Sequence, residues 1–334
     1  MARTSAPPLP FRPDEGHGAR NRGESLIVVA NPRAGGGRAG ARRAEIEHAV
    51  TRAFERGQVW WTERPGHATE LARRAAGEAD IVAALGGDGT CHEVVNGLLV
   101  GRAAVHPRVI FAVIPFGTGG DLVRSLEIKG GIDGALWIAS TGMTLHLDAG
   151  LVEWPEGRTE AFINVAGFGA NAEVCRLANQ STKRFGGTAT FLSSILQTLV
   201  TYSPVPVRWR WDGPDGSGER EIETLSGFCA NGHYCGAGLW VGKGGSMADG
   251  VFELTVVPKL SAVRAARYLP RLYSGQLDGV DGILRVRAHT VEVASPVPME
   301  LEGEPVGTAP ARLSVLPGVL QVRGGWLQPP VGPA

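Results

Sequence analysis

The chain has 334 residues, 43% of them hydrophobic, with 33 Lys plus Arg set against 33 Asp plus Glu. That length suits two domains with sizeable cores, and a formal charge of zero removes the global basic field that would argue for nucleic acid. No apolar run approaches the ~20 residues needed to span a bilayer, so any membrane contact should be peripheral.

Residues 1–24 are rich in Pro, Arg and Gly, include Asp14 and Glu15, and lack a signal-peptide core; they read as a disordered tail. A parallel strand is predicted at 26–30, running into Asn31-Pro32-Arg33-Ala34-Gly35-Gly36-Gly37-Arg38-Ala39-Gly40. Ile46, Val50 and Phe54 repeat at helical spacing. A short strand at 58–62 ends at Pro65-Gly66, and a helix at 67–76 leads to a buried strand at 81–85. That strand enters Gly86-Gly87-Asp88-Gly89-Thr90 and a helix at 91–100, with Thr90 as the expected N-cap. A strand at 109–114 enters Pro115-Phe116-Gly117-Thr118-Gly119-Gly120-Asp121. Such alternation implies a parallel sheet with right-handed crossovers, an α/β domain over residues 25–145.

The texture then changes. Residues 145–152 and 161–165 read as a hairpin around Trp154-Pro155-Glu156-Gly157, and 188–202 as a helix. Residues 207–211 alternate and turn at Asp212-Gly213-Pro214-Asp215-Gly216. Further strands are predicted near 221–230, 250–257, 283–293, 297–302 and 311–323, with a helix at 263–273. The expectation is a mostly antiparallel β domain over 146–325 and a tail at 326–334. Whether the C-terminal segment crosses back to the first domain stays open. Cys91, Cys175, Cys229 and Cys235 include no CxxC pair, so reduced thiols in a cytoplasmic protein are the default.

Three Gly-rich loops, each after an apolar strand, would meet at the carboxyl edge of one parallel sheet, where open α/β sheets bind ligands. Glycine lets phosphate approach bare N–H groups. Asp88 is negative and cannot attract phosphate; an acid in such a cradle serves a metal ion or a hydroxyl proton. Gly35, Gly37 and Gly40 also spell GxGxxG, with Glu63 about where a ribose-binding acid would sit. That dinucleotide reading leaves the other two loops unexplained, and the absence of GxxxxGK[ST] removes a P-loop mechanism.

Together the loops resemble the diacylglycerol kinase catalytic family, which includes sphingosine, ceramide and bacterial lipid kinases. Its pattern is Asn-Pro plus glycines, then Gly-Gly-Asp-Gly-Thr with an Asn-Glu-Val-like helix, then Pro-x-Gly-Thr-x-Asn-Asp. Here the second loop continues as Cys91-His92-Glu93-Val94-Val95-Asn96-Gly97. Asn231-Gly232-His233-Tyr234-Cys235-Gly236-Ala237-Gly238 looks like the family's glycine-rich strand and turn, and Glu302-Gly303-Glu304-Pro305 like its Asp-Gly-Glu-Pro motif. The resemblance implies an α/β nucleotide-binding domain beside a β-sandwich, with the active cleft between them.

It also implies an ATP- and Mg²⁺-dependent kinase acting on a lipid hydroxyl, diacylglycerol first. The nucleotide would lie against Asn31, Pro32, Arg33, Gly35, Gly36, Gly37, Gly86, Gly87, Asp88, Gly89 and Thr90. Thr62, Glu93, Gly117, Thr118 and Asp121 would complete its site. Asp88 would organise Mg²⁺, and Glu304 or Glu302 would take the acceptor proton; these two are expected on a strand end with side chains able to point the same way. Asp249 falls in a segment resembling a family structural-metal site, with Ala248 where a second acid often stands. Gly120 replaces the family's Asn and Glu302 its Asp. His92 and His233 read as hydrogen-bonding loop residues. Phe191, Leu192 and Leu196 could line an acyl-chain site. The implied partners are the lipid and a peripheral membrane surface, with a homodimer left open. NAD kinase, which shares the Gly-Gly-Asp-Gly-Thr loop, and a catalytically weak lipid-binding regulator are the alternatives.

Overall fold

The computed structural model describes residues 20–117, 120–180, 187–236, 238–242, 245–276, 280 and 282–325. Strand β1 (Asn21–Ala30) begins inside the stretch read as tail. Its last five residues, Leu26 to Ala30, are at most 3% exposed and pair in parallel with both β2 (Phe54–Trp61) and β3 (Ile81–Gly86). A central parallel strand is covered on both faces, which is why this run is continuously apolar rather than alternating. Between β1 and β2 lie a four-residue helix α1 (Arg38–Ala41) and α2 (Arg43–Ala53). Phe54, expected on the helix, caps it and opens β2 fully buried; its aromatic ring serves the sheet core instead. Helix α3 (His67–Ala75) packs on α4 (Asp88–Leu98).

A small ribbon of β4 (Leu99–Val100) and β5 (Ala103–Ala104) precedes β6 (Ile110–Pro115), which pairs in parallel with β3. Helices α5 (Asp121–Ser125) and α6 (Gly131–Thr141) follow.

The rest is mostly antiparallel. β7 (Met143–Glu153) pairs β8 (Thr159–Phe162); residues 163–165, read as part of that hairpin, instead lead into β9 (Val165–Gly169). Helices α7 (Ala170–Gln180) and α8 (Gly187–Thr201) precede β10 (Val205–Asp212) and β11 (Gly218–Ala230). The short pair β12 (Tyr234–Cys235) and β13 (Leu239–Trp240) is followed by β14 (Phe252–Pro258) and α9 (Ala262–Ser274). The strand predicted at 283–293 is two, β15 (Leu284–Ala288) and β16 (Thr290–Val293), on different partners. β17 (Pro298–Leu301) and β18 (Glu304–Thr308) form a hairpin, and β19 (Ala311–Gly324) closes the sheet.

β19 answers the question of crossing back. Its first residues pair β16, while Gln321 and Val322 pair β6 in parallel, with β7 alongside nearly throughout. One 15-stranded sheet results, running β18-β17-β9-β11-β10-β16-β19-β6-β3-β1-β2 along its main path. Among the described residues three apolar cores form, the smallest around Val165, Phe228 and Leu239; the two larger ones flank the junction. One packs around Leu26, Ile81 and Phe111; the other around Trp209, whose indole meets Phe168 edge-on at 5.3 Å and donates to Thr224 Oγ1 at 3.0 Å. Such aromatic pairing adds about 0.5–1.5 kcal/mol beyond area burial.

Candidate active site

The first three loops are stapled together at the carboxyl edge of β1, β3 and β6. The Asn31 amide N–H donates to Leu85 O (3.0 Å), its Nδ2 to Thr90 Oγ1 (3.3 Å), and its Oδ1 accepts from Arg33 N–H (2.9 Å). Phe116 N–H donates to Gly86 O at 3.0 Å. Gly35, Gly36 and Gly37 all have positive φ (62°, 71° and 87°), and a Cβ at Gly36 or Gly37 would meet nothing within 4 Å. Their glycine is required by backbone conformation, and the space beside them is open. Gly37 leads into only a four-residue helix, α1, so no long helix starts at the GxGxxG glycines.

Thr90 is not the N-cap: Gly87 is, and α4 begins at Asp88. The Thr90 hydroxyl accepts from Asn31, and its side chain fills the space a Cβ on Gly86 would need. Thr62 is buried, its N–H on Ala30 O at 2.9 Å. Glu93 spends both carboxylate oxygens on the start of α3, accepting from Gly66 and Ala68 N–H at 3.0 Å each. It braces the loop after β2. Thr118 lies outside the described residues, and a Cβ on Gly117 would meet nothing within 4 Å.

Asp88 opens α4, where the helix dipole favours a negative charge, and Leu122 N–H of α5 donates to its Oδ1 at 3.4 Å. Burial, then the charges of Asp121 and Glu302, push its pKa up to about 7. Asp121 is buried at the start of α5, with Arg124 Nη1 at 3.4 Å.

The two glutamates of the C-terminal motif diverge. Leu301 pairs Glu304, so Glu302 and Gly303 are a two-residue turn, both left-handed at φ 56° and 89°. Positive φ at both central residues is the geometry of a tight hairpin turn. Glu302 folds inward: its side chain is 1% exposed, and Oε1 accepts from Ile163 and Asn164 N–H at 2.6 and 2.7 Å. Burial raises its pKa, against the pull of His92 and those two N–H groups. Glu304 is exposed and reaches the second loop: a Cβ on Gly89 would lie 2.8 Å from its Oε1. Asn179 Nδ2 of α7 donates to Glu304 Oε2 (3.3 Å) and Gly303 O (3.1 Å).

Asp249 sits elsewhere. Its oxygens accept from Ser246 and Val251 N–H at 3.0 and 3.2 Å, and the acids whose pKa its charge helps to raise are Asp148 and Glu253, not Asp88. Of the acyl-site candidates, Leu196 is 51% exposed, and the side chains of Phe191 and Leu192 lie outside the described residues. His233 bonds within its own loop, its Nδ1–H donating to Gly242 O at 3.0 Å.

Glu300, Glu160 and Asn171 escaped the sequence reading. Glu300, 2% exposed, accepts from Asn171 Nδ2 and Gly303 N–H, each at 2.6 Å; burial pushes its pKa up to about 8. Its place two residues before Glu302 was the available signal, since alternate strand residues share a face. His92 is a helix residue, one turn after Asp88, and its Nε2 lies 2.8 Å from Glu160 Oε1. An apolar cavity of about 80 Å³ opens among Val174, Ile195, Leu199, Phe228, Leu260 and Tyr268. Asn171 lines it and also holds Glu300, linking cavity and acids. A cleft of about 480 Å³ beside Arg38, Phe116 and Gly117 is lined by none of the carboxylates at Asp88, Glu302 and Glu304.

Glycine loops on a parallel sheet edge, with a carboxylate from the antiparallel part reaching the middle loop, define a kinase-type phosphotransferase. Residues 25–152 match the diacylglycerol kinase catalytic domain, and residues 164–324 the YegS C-terminal NAD kinase beta sandwich-like domain, so the chain carries these two domains in that order. It is 29% identical over 287 residues to a Chromohalobacter salexigens protein named "Probable lipid kinase YegS-like", covering 84% of this chain and 88% of that one. It is 28% identical over 249 residues to a Bacillus subtilis diacylglycerol kinase, covering 73% and 78%. The crystal structure of a diacylglycerol kinase from Bacillus anthracis str. Sterne shares the fold at a TM-score of 0.67 and 21% identity, over 90% of this chain and 97% of that one. A second crystal structure from that strain reaches 0.73 at 22% identity.

Proposed function

We propose that the protein transfers the γ-phosphoryl group of ATP to a lipid hydroxyl, with diacylglycerol the first acceptor to test. The observation that carries the reading is Glu304: an exposed carboxylate held by Asn179 against Gly89 of the second glycine loop. Phosphoryl transfer asks the protein for positioning and charge stabilisation more than for covalent chemistry. The open backbone at Gly36 and Gly37 and the start of α4 hold nucleotide phosphates. Glu304 takes the acceptor proton, within hydrogen-bond reach or through one water. Glu302, turned inward onto two N–H groups, supports the turn.

Asp88 is the carboxylate assigned to Mg²⁺. Among the described residues, no group of three or more His, Cys, Asp and Glu side chains could hold a metal by itself. Mg²⁺ is ordinarily held by one or two carboxylates plus substrate phosphates and water. The burial and repulsion that push Asp88 up to about 7 are what a cation relieves. When bound, the ion neutralises phosphate charge.

The apolar cavity between α7, α8 and α9 suits part of an acyl chain, with Asn171 joining it to the acid cluster. Among the described residues no helix is long and apolar enough to cross a membrane. Exposed Leu196 and Val200 on α8, 51% and 79% accessible, fit reversible contact with a lipid surface.

The test pairs Glu304→Gln with Glu302→Gln. Glu304→Gln should lower turnover by ~10²-fold or more, leaving only a residual rate, while ATP binding persists. A fully active Glu304→Gln beside a dead but folded Glu302→Gln would move the base to Glu302; two active variants would remove the motif from the chemistry.

A further inference from the structure

His92 is 6% exposed and wedged between two carboxylates from different parts of the chain. Its Nε2 lies 2.8 Å from Glu160 Oε1 on β8, and its Nδ1 faces Glu302 Oε2 at 3.8 Å with no hydrogen-bond partner. A neutral imidazole donates from one nitrogen only, so one of these two contacts would then oppose a lone pair to a carboxylate. An imidazolium donates to Glu160 and turns a positive N–H toward Glu302, an attraction of charges rather than a hydrogen bond at that distance. Burial pulls its pKa down, yet Glu160 and Glu302, with a smaller push from Glu304, outweigh burial and raise it.

Around this wedge the packing is tied down. Asn96, one turn further along α4, donates to Ala161 O and accepts from Ala161 N–H, both at 2.8 Å, fixing β8 to the helix. Glu302 Oε1 is held by Ile163 and Asn164 just beyond β8. Glu302 is also one of two described non-glycine residues with positive φ. Such a conformation costs of order 1–3 kcal/mol and persists only where surroundings over-determine it. The surroundings here are the two N–H groups on one oxygen and His92 on the other. Two residues on, past Gly303, stands Glu304 at Gly89. Where the family pattern above carries Asn and Asp, this chain places His92 and Glu302 face to face.

We propose that His92 is a positioning residue: with Glu160 it locks the Glu302–Gly303 turn, and through that turn it sets where the Glu304 carboxylate meets the glycine loop. This rests on the kinase reading, with Glu304 as its base. It gives His92 no contact with substrate. A misplacement of about 1 Å in a reacting group can cost about 10²-fold, and groups acting through one another lose activity non-additively.

The full chain is assayed with Mg²⁺-ATP and diacylglycerol in mixed micelles as His92→Ala, His92→Gln, Glu304→Gln and His92→Ala/Glu304→Gln. His92→Ala should lower kcat about 10- to 100-fold, with KM for ATP within about twofold, and His92→Gln should recover part of the loss. In the Glu304→Gln background, His92→Ala should change the residual rate less than about twofold. Loss by the same factor in both backgrounds, or loss expressed in KM for ATP, overturns the lock. Hydrogen exchange over residues 300–305 reads it without activity: His92→Ala should speed exchange there, and unchanged exchange overturns the proposal. If His92→Ala does not fold, His92→Gln and Glu160→Gln carry the same comparisons. A fully active Glu304→Gln refutes the base assignment instead; the exchange result still decides whether the turn is locked.

Discussion

Replacing Asp88 by Asn should trade activity for stability in the apo protein. In the fold, burial and then the charges of Asp121 and Glu302 raise this carboxyl from an ordinary 3.8 to about 7. A folded-state pKa above the unfolded value means that the folded chain holds the proton more tightly. Stability therefore falls as pH rises from about 4 to 7, and the cost is complete above that. At about 1.36 kcal/mol per pKa unit the ceiling is roughly 4 kcal/mol. Asp88 is mostly covered but keeps some contact with solvent, and screening there reduces this to about 1–2 kcal/mol. Loss of a charge at the start of α4 returns about 0.3–1 kcal/mol in the opposite direction. The Leu122 N–H keeps an oxygen to donate to.

The net expectation is a gain of about 1 kcal/mol for Asp88→Asn at pH 8, a rise in Tm of roughly 2–4 °C, vanishing near pH 4.5. Turnover should fall ~10²-fold or more. Scanning calorimetry of both proteins at pH 4.5 and pH 8, beside a kinase assay, checks this. A variant less stable than wild type at pH 8, by the same amount at pH 4.5, would refute the idea of an uncompensated charge. Wild-type turnover would remove Asp88 from the reaction.

Other outcomes follow from the same geometry. Gly89→Ala would put a Cβ 2.8 Å from Glu304 Oε1; the carboxylate should swing away, lowering kcat about tenfold or more while Tm holds, and unchanged kcat would show that Glu304 does not work from this position. Glu302→Asp restores the family residue but shortens the reach to Ile163 and Asn164 N–H. Thermal unfolding should show a loss of about 1–3 kcal/mol, with turnover kept within about tenfold; full stability would mean those bonds contribute little. Membrane attachment should be reversible, so retention of the protein in membrane pellets after high-salt and carbonate washes would contradict peripheral contact.

The parallel sheet was legible because burial on both faces writes itself as uninterrupted apolar runs. Residues 26–30 and 81–85 are entirely buried, and the glycines that follow mark the sheet edge. Local reading failed where tertiary contacts decide. Phe54 fits a helical period yet starts a strand, since its ring is needed between the sheet and α2. Thr90 has capping chemistry, but its hydroxyl is taken by Asn31, fifty-nine residues away in sequence. The divergence of Glu302 and Glu304 had a local signal, since Glu-Gly between apolar runs suits a two-residue turn. Reading the motif as a strand end hid it. That His92 faces Glu302 had none, because 210 residues separate them and only the junction of β8, β9 and β17 brings them together.

The central claim is the reaction itself. The purified chain should be incubated with γ-labelled ATP, Mg²⁺ and, in parallel, diacylglycerol micelles, a lipid extract and NAD. The account predicts label in a phosphorylated lipid, lost with Glu304→Gln. Label in NAD and in no lipid would contradict it.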